Sequence, residues 1–118
     1  MSNVVLFVDD DPNILRAFMR SFHNQNFEFF TARSAEEAIG IFKRHHVDVI
    51  VSDESMPGMN GTELLGWVSQ NFPEVKRIIL TGQPTFPSME KAINDCGVSK
   101  YLSKPIDHAE LASAIMQL

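Results

Sequence analysis

Five short apolar runs punctuate the chain, and between them apolar residues return at helical spacing. Val4-Val5-Leu6-Phe7-Val8 is the first run, and it ends in Asp9-Asp10-Asp11. Phe27-Glu28-Phe29-Phe30-Thr31 is the second; its partial alternation suits a strand at a sheet edge. Asp48 to Ser52 is the third. Its Val49, Ile50 and Val51 have no polar residue between them, as in a strand covered on both faces. Arg77-Ile78-Ile79-Leu80-Thr81 repeats that pattern, and Val98 to Ser103 forms the fifth run.

The intervening segments carry helix signals. Asp11 followed by Pro12 is an N-cap acid with proline at the first helical position. Ile14, Leu15, Phe18, Met19 and Phe22 then give one apolar face, and Asn24 to Asn26 end that helix. Ser34 and Glu37 have the spacing of a capping box, in which each satisfies the other's free N–H. The helix they open carries Ala38, Ile39 and Phe42 to about His45. A third carries Leu64, Leu65, Trp67 and Val68 and stops before Pro73. Gln83 and Phe86 precede prolines and so avoid the α region, which predicts a stiff open stretch and a short helix only from about Pro87. Asp107 to about Gln117 is the last helix, with Leu111, Ala114 and Ile115 inward. Strands alternating with helices imply right-handed βαβ units and a parallel sheet covered on both sides. The expected fold class is therefore α/β, a doubly wound parallel sheet of five strands, of which the flavodoxin-like (βα)5 order 2-1-3-4-5 is one arrangement.

Length and charge narrow the possibilities. The 118 residues suit one domain, 44% hydrophobic and 21% charged, with no boundary inside residues 1–118. Such a domain can stand as the N-terminal part of a longer regulator, with further domains after Leu118. A net charge of −5 argues against a nucleic-acid surface. A lone Cys96 suits a reducing compartment. Met1 to Val8 lacks the basic start of a signal peptide, and no run reaches the roughly 18 apolar residues of a membrane span. The expected location is the cytoplasm, with no membrane partner.

Chemistry gathers at the ends of the strands. Asp9 and Asp10 close the first, Asp53 follows the third, Thr81 ends the fourth and Lys104 follows the fifth. In a parallel sheet these ends share one edge, and if the strand order is 2-1-3-4-5 the switch point falls between the first and third strands, where the three acids would meet. Crowded carboxylates repel one another unless a cation is present. Oxygen donors without Cys or His nearby point to Mg²⁺. A cation, a lysine and a hydroxyl around one carboxylate make a phosphoryl site, with Asp53 as nucleophile.

At this point a family resemblance is plain. Val8-Asp9-Asp10-Asp11-Pro12, Ser52-Asp53 with Met56-Pro57-Gly58-Met59-Asn60-Gly61, Leu80-Thr81-Gly82 and Tyr101-Leu102-Ser103-Lys104-Pro105 together resemble the response-regulator receiver domain of two-component signalling, from Val4 onward. The resemblance implies that Asp53 accepts a phosphoryl group from a sensor histidine kinase or phosphotransfer protein. It implies Asp10 as direct Mg²⁺ ligand, Asp9 acting mostly through water, and the backbone carbonyl of Ser55 completing the metal site with Asp53. Lys104 pairs with the carboxylate and then the phosphoryl oxygens; Thr81 turns inward to bond them; Tyr101 follows from an outward to an inward rotamer. The Lys104–Pro105 peptide is expected to be cis. Such a domain is a switch, not an enzyme, and promotes only its own phosphorylation and dephosphorylation. Its output runs through the face of the fourth helix, fifth strand and fifth helix, where Glu90, Lys91, Asp95, Lys100 and Tyr101 mix both charges and suit a homodimer or a partner. Ser55 and Gln83 flank the path of an attacking water, and neither is charged.

Other readings compete for some of these residues. Asp9-Asp10-Asp11 superficially fits the Asp-x-Asp nucleophile of a haloacid-dehalogenase-like phosphatase, but Asn13 stands where that motif wants Thr or Val and no cap domain is present. A phosphate-independent docking module is disfavoured by the complete set of site residues. A flavodoxin-like cofactor binder is disfavoured by the acidic loop after the first strand, which repels phosphate. Tyr101 equally suits a half-buried strand position without a switching role. Trp67, Phe18, Phe42 and Cys96 read as packing residues, and His45 and His46 as helix-end cations.

Overall fold

All five apolar runs are strands, and every strand pairing is parallel. The computed structural model describes residues 3–25 and 27–118. In chain order the elements are β1 (Asn3–Val8), α1 (Pro12–Phe22), β2 (Phe27–Ala32), α2 (Ala35–Arg44), β3 (Val49–Asp53), α3 (Gly61–Asn71), β4 (Lys76–Thr81), α4 (Phe86–Cys96), β5 (Lys100–Ser103) and α5 (His108–Met116). The sheet runs β2-β1-β3-β4-β5, as predicted, with β2 at one edge. The register sets Val8 beside Ser52 and Asp53 beside Leu80, so β1, β3 and β4 finish at one level.

The unbroken apolar runs divide between two cores because successive strand side chains point to opposite faces. Leu6, Val8, Ile50 and Ile79 pack with α2, α3 and α4, through Phe42, Leu64, Leu65 and Ala92. Val5, Phe7, Val49, Val51, Ile78 and Leu80 pack with α1 and α5, through Phe18, Phe22, Leu111 and Ile115. On that second face Phe7 lies with its ring centroid 5.0 Å from Phe18 and 5.4 Å from Phe22.

Several boundaries differ from expectation for identifiable reasons. β3 covers 49–53 instead of 48–52: the Asp48 carboxylate accepts from the Val4 N–H at 2.8 Å, while Asp53 joins the ladder opposite Leu80. β5 begins at Lys100, not Val98, because the Val98 N–H closes the end of α4 on the Ala92 carbonyl. α4 starts at Phe86, inside the stretch expected to stay open, and runs eleven residues. The Thr85 hydroxyl caps it by accepting from the Ser88 N–H, and Pro87 falls in the first turn, where a missing N–H costs nothing. Ser34 accepts from the Glu37 N–H as predicted, but Glu37 accepts from the Arg33 N–H instead of closing the box on Ser34. A full reciprocal box occurs at Asn60 and Glu63. Asp11 caps α1 through the Asn13 N–H. That helix stops at Phe22; of the segment expected to end it, Asn26 lies outside the described residues. Among the described residues no helix is long and apolar enough to cross a membrane.

Candidate functional site

The carboxyl edge of the sheet collects the predicted side chains. Asp9 and Asp10 follow β1 directly, Asp53 is the last residue of β3 and Thr81 the last of β4. The three aspartates each offer a carboxylate oxygen within 4.8 Å of the others. Lys104, one residue beyond β5, is drawn into the same place by its backbone N–H, which donates to the Thr81 carbonyl at 2.7 Å. Its ammonium lies 2.6 Å from Asp53 Oδ1 and 3.5 Å from Asp9 Oδ2. The Lys104–Pro105 peptide is cis, as the resemblance implied.

Burial grades the three acids. Asp9 is 3% exposed and Asp53 7%, while Asp10 faces solvent. The Asp53 carboxyl therefore lies on the floor of a cleft of about 520 Å³ and is not broadly open. Glu54, Ser55, Thr81, Gly82, Gln83, Ser88, Tyr101 and Lys104 line that cleft with it. Thr81 is buried at the wall, and its Oγ1 accepts from the Gln83 N–H at 3.2 Å. Ser55 is exposed in the loop after β3, and Tyr101 is half-buried.

Electrostatics follow from this crowding. Burial is the main cause lifting the Asp9 pKa above its ordinary 3.8. The Asp53 and Asp10 charges push the same way, against the Asp11 N–H and Lys104. Asp9 Oδ1 accepts that N–H at 2.9 Å, so the turn into α1 and the acid are held together. For Lys104 the largest single effect is also burial, which works downward. The hydrogen bond and charge of Asp53, helped by Asp9, outweigh it and hold the ammonium above its ordinary 10.5. One lysine thus faces three acids, an excess of negative charge that oxygen-seeking divalent cations neutralise. The donor set fits Mg²⁺: three carboxylates, with no sulfur or imidazole among the clustered ligands.

Gly61, named above only within its motif, has a steric role in the site that residue type alone does not reveal. Gly61 opens α3 so close to Asp53 that a Cβ there would stand 2.4 Å from the Asp53 carbonyl oxygen. Asn60-Gly61-Thr62-Glu63 carries the capping-box spacing that would have marked this helix start. The expected partner surface is also refined. Lys91 lines a cleft with Glu54, Asn60, Thr62, Glu63 and Ser88, on the α3 side of α4. Phe86, 68% exposed, lines an apolar crevice with Pro84, Met89 and Tyr101. His46 pairs with Asp48 at 2.7 Å, and His45 stacks on Phe30. Cys96 is buried at the end of α4, as a packing residue should be.

Comparison with known proteins agrees with this geometry. The family model for the response regulator receiver domain matches residues 5–116. Over 101 residues the chain is 35% identical to the hydrogenase transcriptional regulatory protein HoxA of Cupriavidus necator, covering 86% of this chain and 21% of that protein. It is 32% identical over 111 residues to the transcriptional regulatory protein GlrR of Escherichia coli, covering 94% and 25%. The chain thus spans a quarter or less of these two regulators. Among solved structures, the signal receiver domain of an HD domain-containing protein from Pseudomonas fluorescens superposes with a TM-score of 0.93 at 33% identity, over 99% of this chain and 94% of that one. A CheY-like receiver domain protein from Methanospirillum hungatei gives 0.91 at 26% identity, over 99% and 93%. With fold, strand-end residues and family model in agreement, the chain belongs to the response-regulator receiver domains.

Proposed function

We propose that this domain is a phosphorylation switch in which Asp53 accepts a phosphoryl group from a phosphohistidine of a sensor kinase or phosphotransfer protein. One observation carries the reading: three carboxylates meet within 4.8 Å, and Lys104 Nζ stands 2.6 Å from Asp53. An Asp53 oxygen attacks the phosphorus in line; the P–N bond breaks as the P–O bond forms, and the imidazole leaves with a proton from solvent. Lys104 is already placed to follow charge from carboxylate to phosphoryl oxygen. The Thr81 hydroxyl, at the same cleft wall, accepts from the Gln83 N–H and keeps its own O–H proton to offer as a further donor. Asp9, Asp10, Asp53 and the Ser55 carbonyl are the groups that would hold Mg²⁺, which when bound supplies positive charge to the phosphoryl oxygens.

The switch reads out through Tyr101, which lines both the phosphoryl cleft and the apolar crevice beside Phe86. Its movement inward would change that crevice and bias the α4-β5-α5 face toward a partner or a second copy. An apolar groove formed by Ile14, Phe18, Pro105 and Ile106 adjoins Lys104 on the α1 side and suits the docking kinase. Residues 1–118 act as the receiver part of a longer cytoplasmic regulator, with no catalysis beyond the domain's own phosphorylation and dephosphorylation. Incubation with Mg²⁺ and acetyl phosphate, read by intact mass, tests the proposal. One added phosphoryl group on the unaltered chain and none on Asp53→Asn supports it. No modification, or equal modification of both, defeats it.

A further inference from the structure

Glu54 follows the acceptor directly, and the chemistry above gives its carboxylate no part. Yet it is the most heavily bonded side chain at this edge. Glu54 Oε1 accepts from the Thr62 N–H at 2.7 Å, and the Thr62 hydroxyl lies 2.8 Å from both carboxylate oxygens. The Glu54 carbonyl accepts from the Gly61 N–H at 3.0 Å, while its own N–H donates to the Leu80 carbonyl at 2.9 Å. One residue therefore ties β3 to β4 and fastens the far end of loop 55–60 back to its beginning. The tight seat of Gly61 on the Asp53 carbonyl presses the two ends together.

Helix capping alone does not account for this. Asn60 and Glu63 already form a reciprocal cap at the start of α3. Glu54 meets the two preceding helical N–H groups, those of Gly61 and Thr62, and does so from the residue bonded to the acceptor. Any shift of Glu54 moves the Asp53 main chain on one side and Ser55 on the other.

We infer that Glu54 is a positioning residue: its clamp on Thr62 holds the loop so that the Ser55 carbonyl and the Asp53 carboxylate stay in register for a divalent cation. The inference rests on the proposed function and adds a dedicated support to that site. Groups one layer out from metal ligands typically change metal affinity about 10–100-fold when removed.

Calorimetric Mg²⁺ titration and melting in EDTA of the unaltered chain, Glu54→Ala, Glu54→Gln, Thr62→Val and Ile115→Val separate positioning from stability. Ile115 is buried on the α1/α5 face and serves as a stability control. Glu54→Ala should weaken Mg²⁺ binding at least about 10-fold and, without metal, speed amide exchange at Gly61 and Thr62. Glu54→Gln, whose amide oxygen still accepts both Thr62 donors, should stay within about twofold. Thr62→Val should fall between, and it carries the comparison if Glu54→Ala does not fold. Ile115→Val should lower the melting temperature without moving the affinity. Unchanged affinity in Glu54→Ala and Thr62→Val overturns the inference, as does an affinity loss that merely tracks melting temperature through Ile115→Val. Failure of the unaltered chain to bind Mg²⁺ overturns the proposed function and this inference with it.

Discussion

Replacing Gly61 by alanine isolates the closest backbone approach in the site. The added methyl would lie 2.4 Å from the Asp53 carbonyl oxygen and 3.0 Å from Glu54 Cα, both main-chain atoms that cannot swing aside. Carbon–oxygen contacts settle near about 3.3–3.6 Å, so α3 must retreat by about 1 Å. Overpacking of this kind costs about 1–3 kcal/mol. Alanine returns about 0.4–1 kcal/mol by restricting the unfolded chain, because Gly61 is not among the positive-φ glycines. Because the blocked atoms are rigid main chain, the cost falls in the upper part of that range, about 2–3 kcal/mol, and the net loss is about 1–2 kcal/mol. Unfolding entropy for 118 residues is about 250 cal/mol/K, which makes the fall in melting temperature about 4–8 °C. Gly58→Ala is the matched control: its φ is +76° but nothing lies within 4 Å, so it carries a conformational cost of about 1 kcal/mol and no steric one. Calorimetry of the three proteins in EDTA, with Mg²⁺ titrations alongside, reads both quantities. Gly61→Ala should lose stability and cation affinity; Gly58→Ala should lose only stability, and less of it. A Gly61→Ala protein melting within about 1 °C of the unaltered chain, or above it, refutes the steric argument.

Other expected outcomes follow from burial and charge. An acid whose folded pKa is raised binds its proton more tightly when folded, so its stabilising contribution is present below the unfolded value of 3.8 and is lost as pH rises through the folded value. Asp9→Asn should therefore raise the melting temperature at pH 7 in EDTA, with the gain shrinking as pH falls toward 4; a pH-independent difference would count against it. Burial raises the Cys96 thiol pKa, helped by the nearby Asp95 and Glu54 charges, which lowers the thiolate fraction. Alkylation of native protein at pH 8 should be much slower than in denaturant and should quicken as pH rises, whereas equal native and denatured rates would place the thiol outside. Phe7→Ala removes a fully buried ring flanked by Phe18, Phe22 and Phe29, and urea unfolding should register a loss of about 3–5 kcal/mol. A loss below about 1.5 kcal/mol, the range of a volume-conserving swap, would show that this face does not rest on the aromatic cluster.

The alternation of apolar runs with helical spacing is enough to derive five parallel strands, and the acids and lysine at their ends meet at one edge as that topology requires. Strand character and strand-end position are local properties, written in consecutive residues. Boundaries set by long-range bonds were not legible in that way: Asp48 leaves β3 to bond Val4, and Val98 leaves β5 to close α4. The same limit explains the capping boxes. Ser34–Glu37 and Asn60–Glu63 carry the same spacing, yet only the second closes reciprocally, because Glu37 finds the Arg33 N–H instead.

From the sequence alone came the fold class and, through the four motifs at the strand ends, the family and its strand order, since strand character depends on residue type and period and the motifs on consecutive residues. Tertiary structure alone decided how far Asp53 is buried, that Lys104 bonds Asp53 more closely than Asp9, and that Glu54 bonds Thr62. Those facts depend on distances between segments remote in the chain, and such distances exist only once both cores have packed and brought the strand ends to one edge.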